Sequence, residues 1–398
     1  MQKVSLIIPS HNNLRHLKNV YESIVRHAPQ SEVILLDDGS NDGTWEWMIG
    51  LAESHQHIEV KVYKSNGRVG HTILYDKGIE IATHDIVGIL HADMIIGPNY
   101  VENMIKHLQP GKVVCATRIE PPLHPEGKEK IIKDFGLDFD TLNIPAFEEY
   151  CIQSQLENKD KTTKGMFAPW ILYKSDFQAI GGHDPLFAPF PYEDSDIFQR
   201  WILAGYELIQ SRDSFVYHLT CRGHRWNKKV GVDDDYYKMV SQKAARNYLR
   251  KWGSWIKNDE YQYPIIPHKY GVGLVVKNCN LELLRALEPW CDKIYIEDDM
   301  GVITTNYIDE EQKNTKFDLS KRIRLINHHD PICENDIVVE FDGTMLNQNN
   351  FIFIERLSEI LTENEISVGY YEMDIFKFHI SSVRHYENDL IKIMNDYA

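Results

Sequence analysis

The chain has 398 residues, which is enough for two to three domains. Hydrophobic residues make up 43% of it, which supplies cores for folded domains and excludes a disordered protein. Its 43 basic and 59 acidic residues give a net charge of −16, which excludes a protein that is basic over its whole surface. No run of about 18 apolar residues predicts a membrane helix, and the N-terminal segment predicts a strand rather than a signal peptide.

The cysteines form no C-x-x-C pair, so neither a zinc site nor a disulfide framework is predicted. They are scattered along the chain at Cys115, Cys151, Cys221, Cys279, Cys291 and Cys333. Scattered cysteines of this kind are typical of reduced thiols in a reducing compartment. We therefore expect a cytoplasmic protein.

Strand and helix patterns alternate over the first 110 residues. The sequence predicts strands at 4–8, 32–36, 58–63 and 86–90, and helices at 14–25, 44–51 and 72–82. Such alternation is typical of an α/β fold with a mostly parallel sheet and helices on both faces. Ligands bind such sheets at the carboxyl ends of the strands, so the residues after each strand are the first candidates for a site.

The rest of the chain divides into three further stretches. Residues 120–165 are weakly patterned and rich in Pro, Glu and Lys, which predicts an excursion or lid. Residues 222–257 carry ten basic and three acidic side chains, a net +7, interleaved with aromatic rings. A second α/β pattern begins near residue 270, and no internal repeat is evident. We therefore predict a catalytic-type domain at 1–221, a basic and aromatic helical linker at 222–262 and a smaller α/β domain at 263–398.

Polar and acidic motifs follow three of the predicted strands. They are Ser10-His11-Asn12, Asp37-Asp38-Gly39-Ser40 and His91-Ala92-Asp93. Two later motifs are Gly181-Gly182-His183-Asp184 and Tyr192-Glu193-Asp194. Apart from His91-Ala92-Asp93, these motifs together with Ala204-Gly205-Tyr206 resemble, in order and spacing, family 2 glycosyltransferases of the GT-A (Rossmann-like) fold, over about residues 3–220. The last 130 or so residues resemble no family that we can name.

The resemblance implies a binding site for a nucleotide sugar. A carboxylate after a parallel strand can accept hydrogen bonds from a uracil N–H or a ribose hydroxyl, and the family likeness gives that role to Asp38. It places Pro9, Ser10 and His11 along the base pocket. Arg68, in the glycine-rich loop 66–70, becomes a charge partner of the diphosphate. The alternative for Asp38 is a plain turn after a strand, since Asp, Gly and Ser all favour turns.

The resemblance also implies a divalent cation, Mn²⁺ or Mg²⁺, which neutralises the leaving diphosphate. His91, Ala92 and Asp93 stand where the family carries Asp-x-Asp against the donor, and Asp93 fits the carboxylate that contacts the metal. His91 departs from the pattern, and an imidazole suits Mn²⁺ better than Mg²⁺. His218 matches a late histidine that supplies a further ligand in many relatives. The alternatives are a structural histidine and a weakened site in a non-enzymatic sugar-binding or scaffold protein.

The catalytic pair implied by the resemblance is Glu193 and Asp194. Inverting transfer needs a base that takes the proton of the acceptor hydroxyl, and the family gives this role to the position of Asp194. The alternative is a helix N-cap, since acidic residues suit the first turn. The acceptor and sugar pocket is predicted around Trp170, Gly181 and Gly182, although Trp170 also fits a core position.

The leading hypothesis is a metal-dependent inverting glycosyltransferase that uses a UDP-sugar. A glycan is the expected acceptor. Arg225 and Lys228, in the basic segment, allow contacts with the diphosphate or with an anionic acceptor such as a hydroxymethylated base in DNA. The alternative for that segment is a linker with solvated cations. A sugar nucleotidyltransferase is disfavoured, because residues 9–12 do not form a glycine-rich triphosphate loop.

Overall fold

The computed structural model describes residues 2–54, 58–222, 225–226 and 229–393. It divides into two compact units. The first contains Met1–Ser241 and Asn258–Ile265, and the second contains Gln242–Lys257 and Ile266–Ala398. Residues 222–262, the predicted linker, are divided between these units. A distinct role for this segment stays a prediction.

The first unit is built on a large sheet in the order β3-β2-β1-β4-β9-β6-β10-β5, with β7 beside β6 and β8 beside β10. Its strands are β1 (Val4–Ser10), β2 (Glu32–Asp37), β3 (Val60–Lys64), β4 (Ile86–Ile89), β5 (Met94–Ile96), β6 (Lys112–Glu120), β7 (Lys130–Ile132), β8 (Thr162–Thr163), β9 (Trp170–Tyr173) and β10 (Glu207–His218). Its helices are α1 (Leu14–His27), α2 (Thr44–Glu53), α3 (His71–Ile81), α4 (Tyr100–Ile105), α5 (Ile144–Asn158), α6 (Lys174–Ala179) and α7 (Glu193–Leu203). Helix α8 (Asp235–Trp252) begins in this unit and ends in the second.

Parallel pairing dominates the half of the sheet that the sequence predicts. Strands β1, β2, β3 and β4 pair in parallel, and their side chains form a buried core in which Leu6, Ile7 and Leu35 have no exposed surface. Strand β9 runs antiparallel to both β4 and β6. The predicted α/β class with a mostly parallel sheet is therefore confirmed.

The segment 120–165 is more ordered than its sequence predicts. It contains α5, whose buried residues Phe147, Cys151 and Ser154 follow helical spacing. Phe147 and Cys151 pack against Phe215 and Tyr217 of β10. The helix was not predicted, because only one of its three buried positions is strongly hydrophobic, and the excursion or lid stays a prediction.

The second unit is also α/β, as predicted. Its six-stranded sheet has the order β15-β14-β13-β16-β18-β17 in the part of the chain described. The strands are β13 (Val272–Lys277), β14 (Lys293–Ile296), β15 (Ile323–Leu325), β16 (Ile337–Asp342), β17 (Gly369–Met373) and β18 (Phe376–Ile380). The helices are α9 (Leu281–Leu287), α10 (Val302–Glu311), α11 (Leu319–Arg322), α12 (Pro331–Glu334), α13 (Gln348–Glu355) and α14 (Leu357–Glu363).

Two features complete the description of the fold. A short strand pair, β11 (Lys257–Asn258) and β12 (Pro264–Ile265), follows α8. None of the described helices combines the length and the apolarity that crossing a bilayer requires.

Candidate active site

A cavity of about 70 Å³ lies at the carboxyl ends of β1, β2 and β4. It brings together all the residues that the sequence assigned to the donor. They are Pro9, Ser10, His11, Asp38, Arg68, His91, Ala92 and Asp93. Three strand ends and the loop before α3 therefore converge on one small polar space, as the topology of a parallel sheet requires.

Asp38 fixes the loop that carries Arg68. Its carboxylate accepts hydrogen bonds from the backbone N–H of Val69 at 2.6 Å and from that of Gly70 at 3.0 Å. Gly70 has a φ of +87°, and a Cβ there would lie 2.3 Å from the Cα of Pro189. Only glycine therefore fits at this close approach of two backbones.

Four buried polar atoms of the residues that line this cavity have no hydrogen-bond partner among the described residues: Ser10 Oγ, Arg68 Nε, and Nε and Nη1 of Arg222. The guanidinium of Arg68 lies 4.5 Å from the ring centre of Tyr236 and 5.6 Å from that of Phe190. A buried donor or acceptor without a partner costs about 1–3 kcal/mol. The unpaired atoms therefore indicate a space that suits a polar or anionic ligand.

His91, Asp93 and His218 form a group that can hold a cation. One ligand atom from each lies within 4.8 Å of the others. His218 Nε2 is 3.7 Å from Asp93 Oδ1, and the other oxygen of Asp93 accepts a hydrogen bond from the Arg222 N–H at 3.0 Å. Two imidazoles and a carboxylate are a donor set that suits Mn²⁺. The residues present therefore fit the metal that the family resemblance implies.

Glu120 orients His218 by contacting the ring nitrogen that does not face Asp93. Its Oε1 lies 2.9 Å from His218 Nδ1, which leaves Nε2 directed toward Asp93. Burial alone would raise the pKa of Glu120, but the hydrogen bond to His218 and the charge of Arg118 lower it well below its ordinary value. Lys130 also contacts this carboxylate, at 3.1 Å. An ionised carboxylate behind a ligand histidine is a common way to fix its tautomer and ring orientation.

A larger cavity of about 520 Å³ shares four wall residues with the first. They are His71, Tyr75, His91 and Phe190. Its other walls include Trp170, Glu193, Asp194, His218 and Arg225, all of them predicted site residues. The candidate donor, metal and base groups therefore line two adjoining spaces in the first unit.

Glu193 and Asp194 begin α7, directly after Tyr192, whose φ is +81°. Glu193 Oε1 lies 2.6 Å from His71 Nε2. Burial would raise the pKa of Glu193, but the charge of His71 lowers it, and Glu193 in turn raises the pKa of His71 against the effect of burial. Asp194 accepts a hydrogen bond from the Ser195 N–H at 2.6 Å.

The ionisation of Asp194 differs from that of its neighbour. Burial and the adjacent negative charge of Glu193 raise the pKa of Asp194 to about 6. A carboxyl with that pKa is ionised at neutral pH and is a stronger base than an ordinary aspartate. The pair thus contains one fixed anion, Glu193, and one group suited to proton transfer, Asp194.

The predicted glycines do not lie in the cavity walls. Gly181 is exposed, and Gly182 is buried outside both sets of lining residues. A Cβ on Gly182 would lie 2.2 Å from Asp76 Oδ2. Asp76 contacts His183 Nδ1 at 2.6 Å, and His183 is a wall residue. Gly182 therefore affects the cavity through His183.

The basic segment is not a continuous exposed surface. Arg225 lines the large cavity, but its Nε donates to Asp233 Oδ1 at 2.7 Å. Lys228 lies outside the described residues. Four further basic residues of this segment make ion pairs, namely Lys238, Arg246, Arg250 and Lys257.

Several wall residues were not predicted from the sequence. They include His71, Tyr75, Glu120, His183 and Phe190. His71 and Tyr75 are the first and fifth residues of α3, directly after the glycine-rich loop, so the start of that helix was the available signal. Glu120 ends β6, a strand within a stretch where no strand was predicted.

Comparison with known proteins finds similarity in the N-terminal part of the chain. The model of the family "Glycosyl transferase family 2" matches residues 5–176. The chain is 30% identical over 111 residues to the uncharacterized glycosyltransferase MG060 of Mycoplasma genitalium, covering 27% of this chain and 37% of that protein. It is 29% identical over 107 residues to glycosyltransferase GlyG of Streptococcus pneumoniae, covering 27% and 35%. The chain thus spans little more than a third of these relatives.

Among solved structures, the chain is similar to GalNAc-T7 with UDP, GalNAc and Mn²⁺. The TM-score is 0.46 at 18% sequence identity, over 66% of this chain and 49% of that one. The matched residues 5–176 contain β1 to β4 and the motifs around Asp38 and Asp93. This N-terminal region is therefore similar to glycosyl transferase family 2.

Proposed function

We propose that the protein is a metal-dependent inverting glycosyltransferase that moves a sugar from a UDP-sugar to a hydroxyl group of a glycan. One observation carries the proposal. Two adjoining cavities are lined by a metal-type group, which means a group that can hold a cation, and by a buried carboxyl with a raised pKa. The metal-type group is His91, Asp93 and His218, and the carboxyl is that of Asp194. A transferase needs this combination, because the leaving group and the nucleophile react on opposite faces of one carbon.

The smaller cavity is the proposed donor site. Ser10 and Asp38 offer hydrogen-bonding oxygens to the uracil and ribose, and Arg68 offers its guanidinium to the diphosphate. A divalent cation held by the metal-type group supplies positive charge next to the diphosphate when it is bound. Glu120 keeps His218 oriented for that role.

Asp194 is the proposed catalytic base. In its ionised form it takes the proton of the acceptor hydroxyl while the hydroxyl oxygen bonds to the anomeric carbon. The bond between that carbon and the diphosphate oxygen breaks on the opposite face, and its electron pair leaves with UDP. The Ser195 N–H holds one oxygen of Asp194, so the other receives the proton. Single displacement inverts the anomeric configuration.

The larger cavity is the proposed acceptor site. Its walls combine the rings of Phe167, Trp170, Phe190 and Tyr237 with charged groups. Aromatic faces and polar side chains together suit the apolar and hydroxyl faces of a sugar. Because all six cysteines are free thiols, we also propose that the enzyme works in the cytoplasm.

A screen of nucleotide sugars tests the proposal. Full-length protein is heated with UDP-, GDP- and CMP-sugars and with Mn²⁺ or Mg²⁺, since a ligand that binds only the folded state raises the melting temperature. Donors that stabilise the protein are then incubated with oligosaccharides, and product configuration is read by NMR. We expect stabilisation by UDP-sugars with Mn²⁺ and an inverted linkage. A retained linkage, or no metal-dependent stabilisation by any donor, would contradict the proposal.

A further inference from the structure

The sheet of the second unit repeats the donor-binding half of the sheet in the first. In the first unit, parallel pairing gives the order β3-β2-β1-β4, and antiparallel β9 lies beside β4. In the second unit, parallel pairing gives β15-β14-β13-β16, and antiparallel β18 lies beside β16. In each unit the strand that comes first in the chain lies between the second and the fourth. Strands β13 to β16 therefore correspond to β1 to β4.

The paired residues define an alignment of the two sheets. Val4 pairs with Ile86 as Val272 pairs with Ile337, so we align Val272 with Val4 and Ile337 with Ile86. Ser5 pairs with Glu32 as Gly273 pairs with Lys293, and Val33 pairs with Val60 as Ile294 pairs with Ile323. These pairs fix which residue of the second unit corresponds to each strand residue of the first.

Two local features are also alike. Residues 85–94 and 336–345 share Asp, Ile and Val at their first three positions and Met at their last. The helix after the second strand begins after a left-handed glycine in both units, Gly43 with a φ of +89° and Gly301 with a φ of +68°, although the connections before them differ in length. The two units therefore share strand order, pairing directions and a short sequence match.

The groups that the transfer site needs are altered in the second copy. In the alignment, Asp342 takes the position of His91, Gly343 that of Ala92, and Thr344 that of Asp93. The second copy thus replaces the proposed metal carboxylate with a hydroxyl. Its described sheet ends at β17 and has no strand in the place of β10, which carries His218.

Side chains at the strand ends contact one another in the second copy. Lys277 Nζ lies 2.6 Å from Glu340 Oε1, and Asn278 Nδ2 donates to Asp342 Oδ2 at 3.0 Å. A Cβ on Gly343 would lie 3.1 Å from the carbonyl oxygen of Lys277. The loop after β16 therefore rests on the end of β13. In the first unit the equivalent residue, Ala92, lines the donor cavity.

We infer that the second unit is a diverged duplicate of the donor-binding half, whose crevice is closed to nucleotides, so that the chain holds one donor site. The inference rests on the proposed function for its ligand, UDP. According to this inference, the second unit arose by duplication of the donor-binding half. We do not expect a second sugar transfer at the strand ends of that unit. The chain is then a transferase with one catalytic unit and one copy without a donor site.

Equivalent carboxylates provide a matched pair of variants. UDP with Mn²⁺ is titrated into the full chain by calorimetry, using wild type, Asp38→Asn and Asp299→Asn, whose positions correspond in the alignment. We expect one nucleotide per chain, binding weakened at least about tenfold by Asp38→Asn, and binding unchanged by Asp299→Asn. Two nucleotides per chain, or weakened binding in Asp299→Asn, would overturn the inference.

A second measurement needs no nucleotide. Cys279, in the loop after β13, is buried, whereas His11, in the loop after β1, lines the donor cavity. We expect iodoacetamide to modify the introduced thiol of His11→Cys at least about tenfold faster than Cys279, as measured by peptide mass spectrometry. Equally fast labelling of Cys279 would show an open crevice and overturn the inference. A chain that binds no UDP would instead contradict the proposed function and leave this test in place.

Discussion

Asp194 is the residue on which the proposed chemistry depends. It lines the larger cavity, and burial together with the charge of Glu193 raises its pKa to about 6. Glu193 is held beside it by His71, at 2.6 Å. Two adjacent carboxyls thus have pKa values shifted in opposite directions, which is the usual way in which a site separates a fixed charge from a proton acceptor.

The pH dependence of the reaction follows from this pair. A base with a pKa of about 6 is protonated below that pH, so kcat/KM is expected to rise with pH through about 6 and level off above it. Glu193→Gln removes the neighbouring charge and should move the midpoint to lower pH. Initial rates between pH 4.5 and 8.5 check both. A profile that falls as pH rises through 6 would contradict the assignment of Asp194 as base.

His91 stands where the Asp-x-Asp pattern has an aspartate, so the effect of this difference can be tested by restoring the aspartate. Carboxylate oxygens suit Mg²⁺, whereas imidazole nitrogen favours Mn²⁺ over Mg²⁺. We expect His91→Asp to shift the ratio of Mn²⁺ to Mg²⁺ affinity toward Mg²⁺ by about tenfold. The affinities are measured by titration calorimetry, with His84→Asp as a control away from the cavities. An unchanged ratio would mean that His91 is not a ligand.

At the scale of elements, the loop between β3 and α3 links the proposed donor site to the segment before α7. Its backbone binds Asp38, and Gly70 lies against Pro189, shortly before α7. The loop and the segment before α7 are therefore held at one close backbone contact. Its side chain Arg68 enters the donor cavity from this anchored position.

Two glycines of this loop allow the cost of a left-handed backbone to be measured apart from the cost of a steric clash. Gly67 and Gly70 have φ values of +85° and +87°, but a Cβ on Gly67 meets nothing within 4 Å, whereas one on Gly70 would lie 2.3 Å from Pro189. Gly67→Ala should cost only backbone strain, about 1–2 kcal/mol, and Gly70→Ala should cost more. Denaturant unfolding and UDP titration compare them. Equal stability and affinity in the two variants would contradict the close contact.

Helices and strands could be predicted where their buried positions carry clearly apolar residues. Strands β1, β2 and β4 are apolar runs, so both their existence and the polar residues after them were predicted. Helix α5 was missed because two of its buried positions are Cys151 and Ser154. Glu120 was missed with it, because no pattern marked the end of β6 as a strand end.

At the scale of the molecule, the second unit contains buried ion pairs as well as a hydrophobic core. Glu288 is fully buried between Arg250 and Arg322, at 2.7 and 2.6 Å. Burial alone would raise the pKa of Glu288, but these two cations lower it well below its ordinary value. Each charge of this ion group is therefore compensated only while its partners are present.

Removing the charge of Glu288 should destabilise the second unit. Breaking a buried ion pair from one side costs about 3–5 kcal/mol, because it leaves buried charges without compensation. We expect Glu288→Gln to lose stability of that order in denaturant unfolding of the full chain, with Glu282→Gln, on the first turn of α9, near wild type. Wild-type stability in Glu288→Gln would contradict the role of the ion group.

The net charge of −16 excludes a protein that is basic over its whole surface, but it does not exclude a local basic segment. The sequence showed that a +7 segment stands against the acidic background, but the ion pairs made by Arg246 and Arg250 could not be predicted, since their partners Glu288 and Glu311 lie far along the chain. The likeness between the two sheets was hidden for a related reason. The units share strand order, whereas they share few side chains.

The central claim is that Asp194 acts as the base in a metal-dependent sugar transfer. UDP release and product formation are measured with Mn²⁺, the best UDP-sugar and acceptor, for wild type, Asp194→Asn and the exposed control Asp235→Asn. General-base catalysis contributes about 10²- to 10⁴-fold, so Asp194→Asn should lose that factor in kcat while its UDP affinity stays near wild type and the control stays active. Equal rates for wild type and Asp194→Asn would contradict the account.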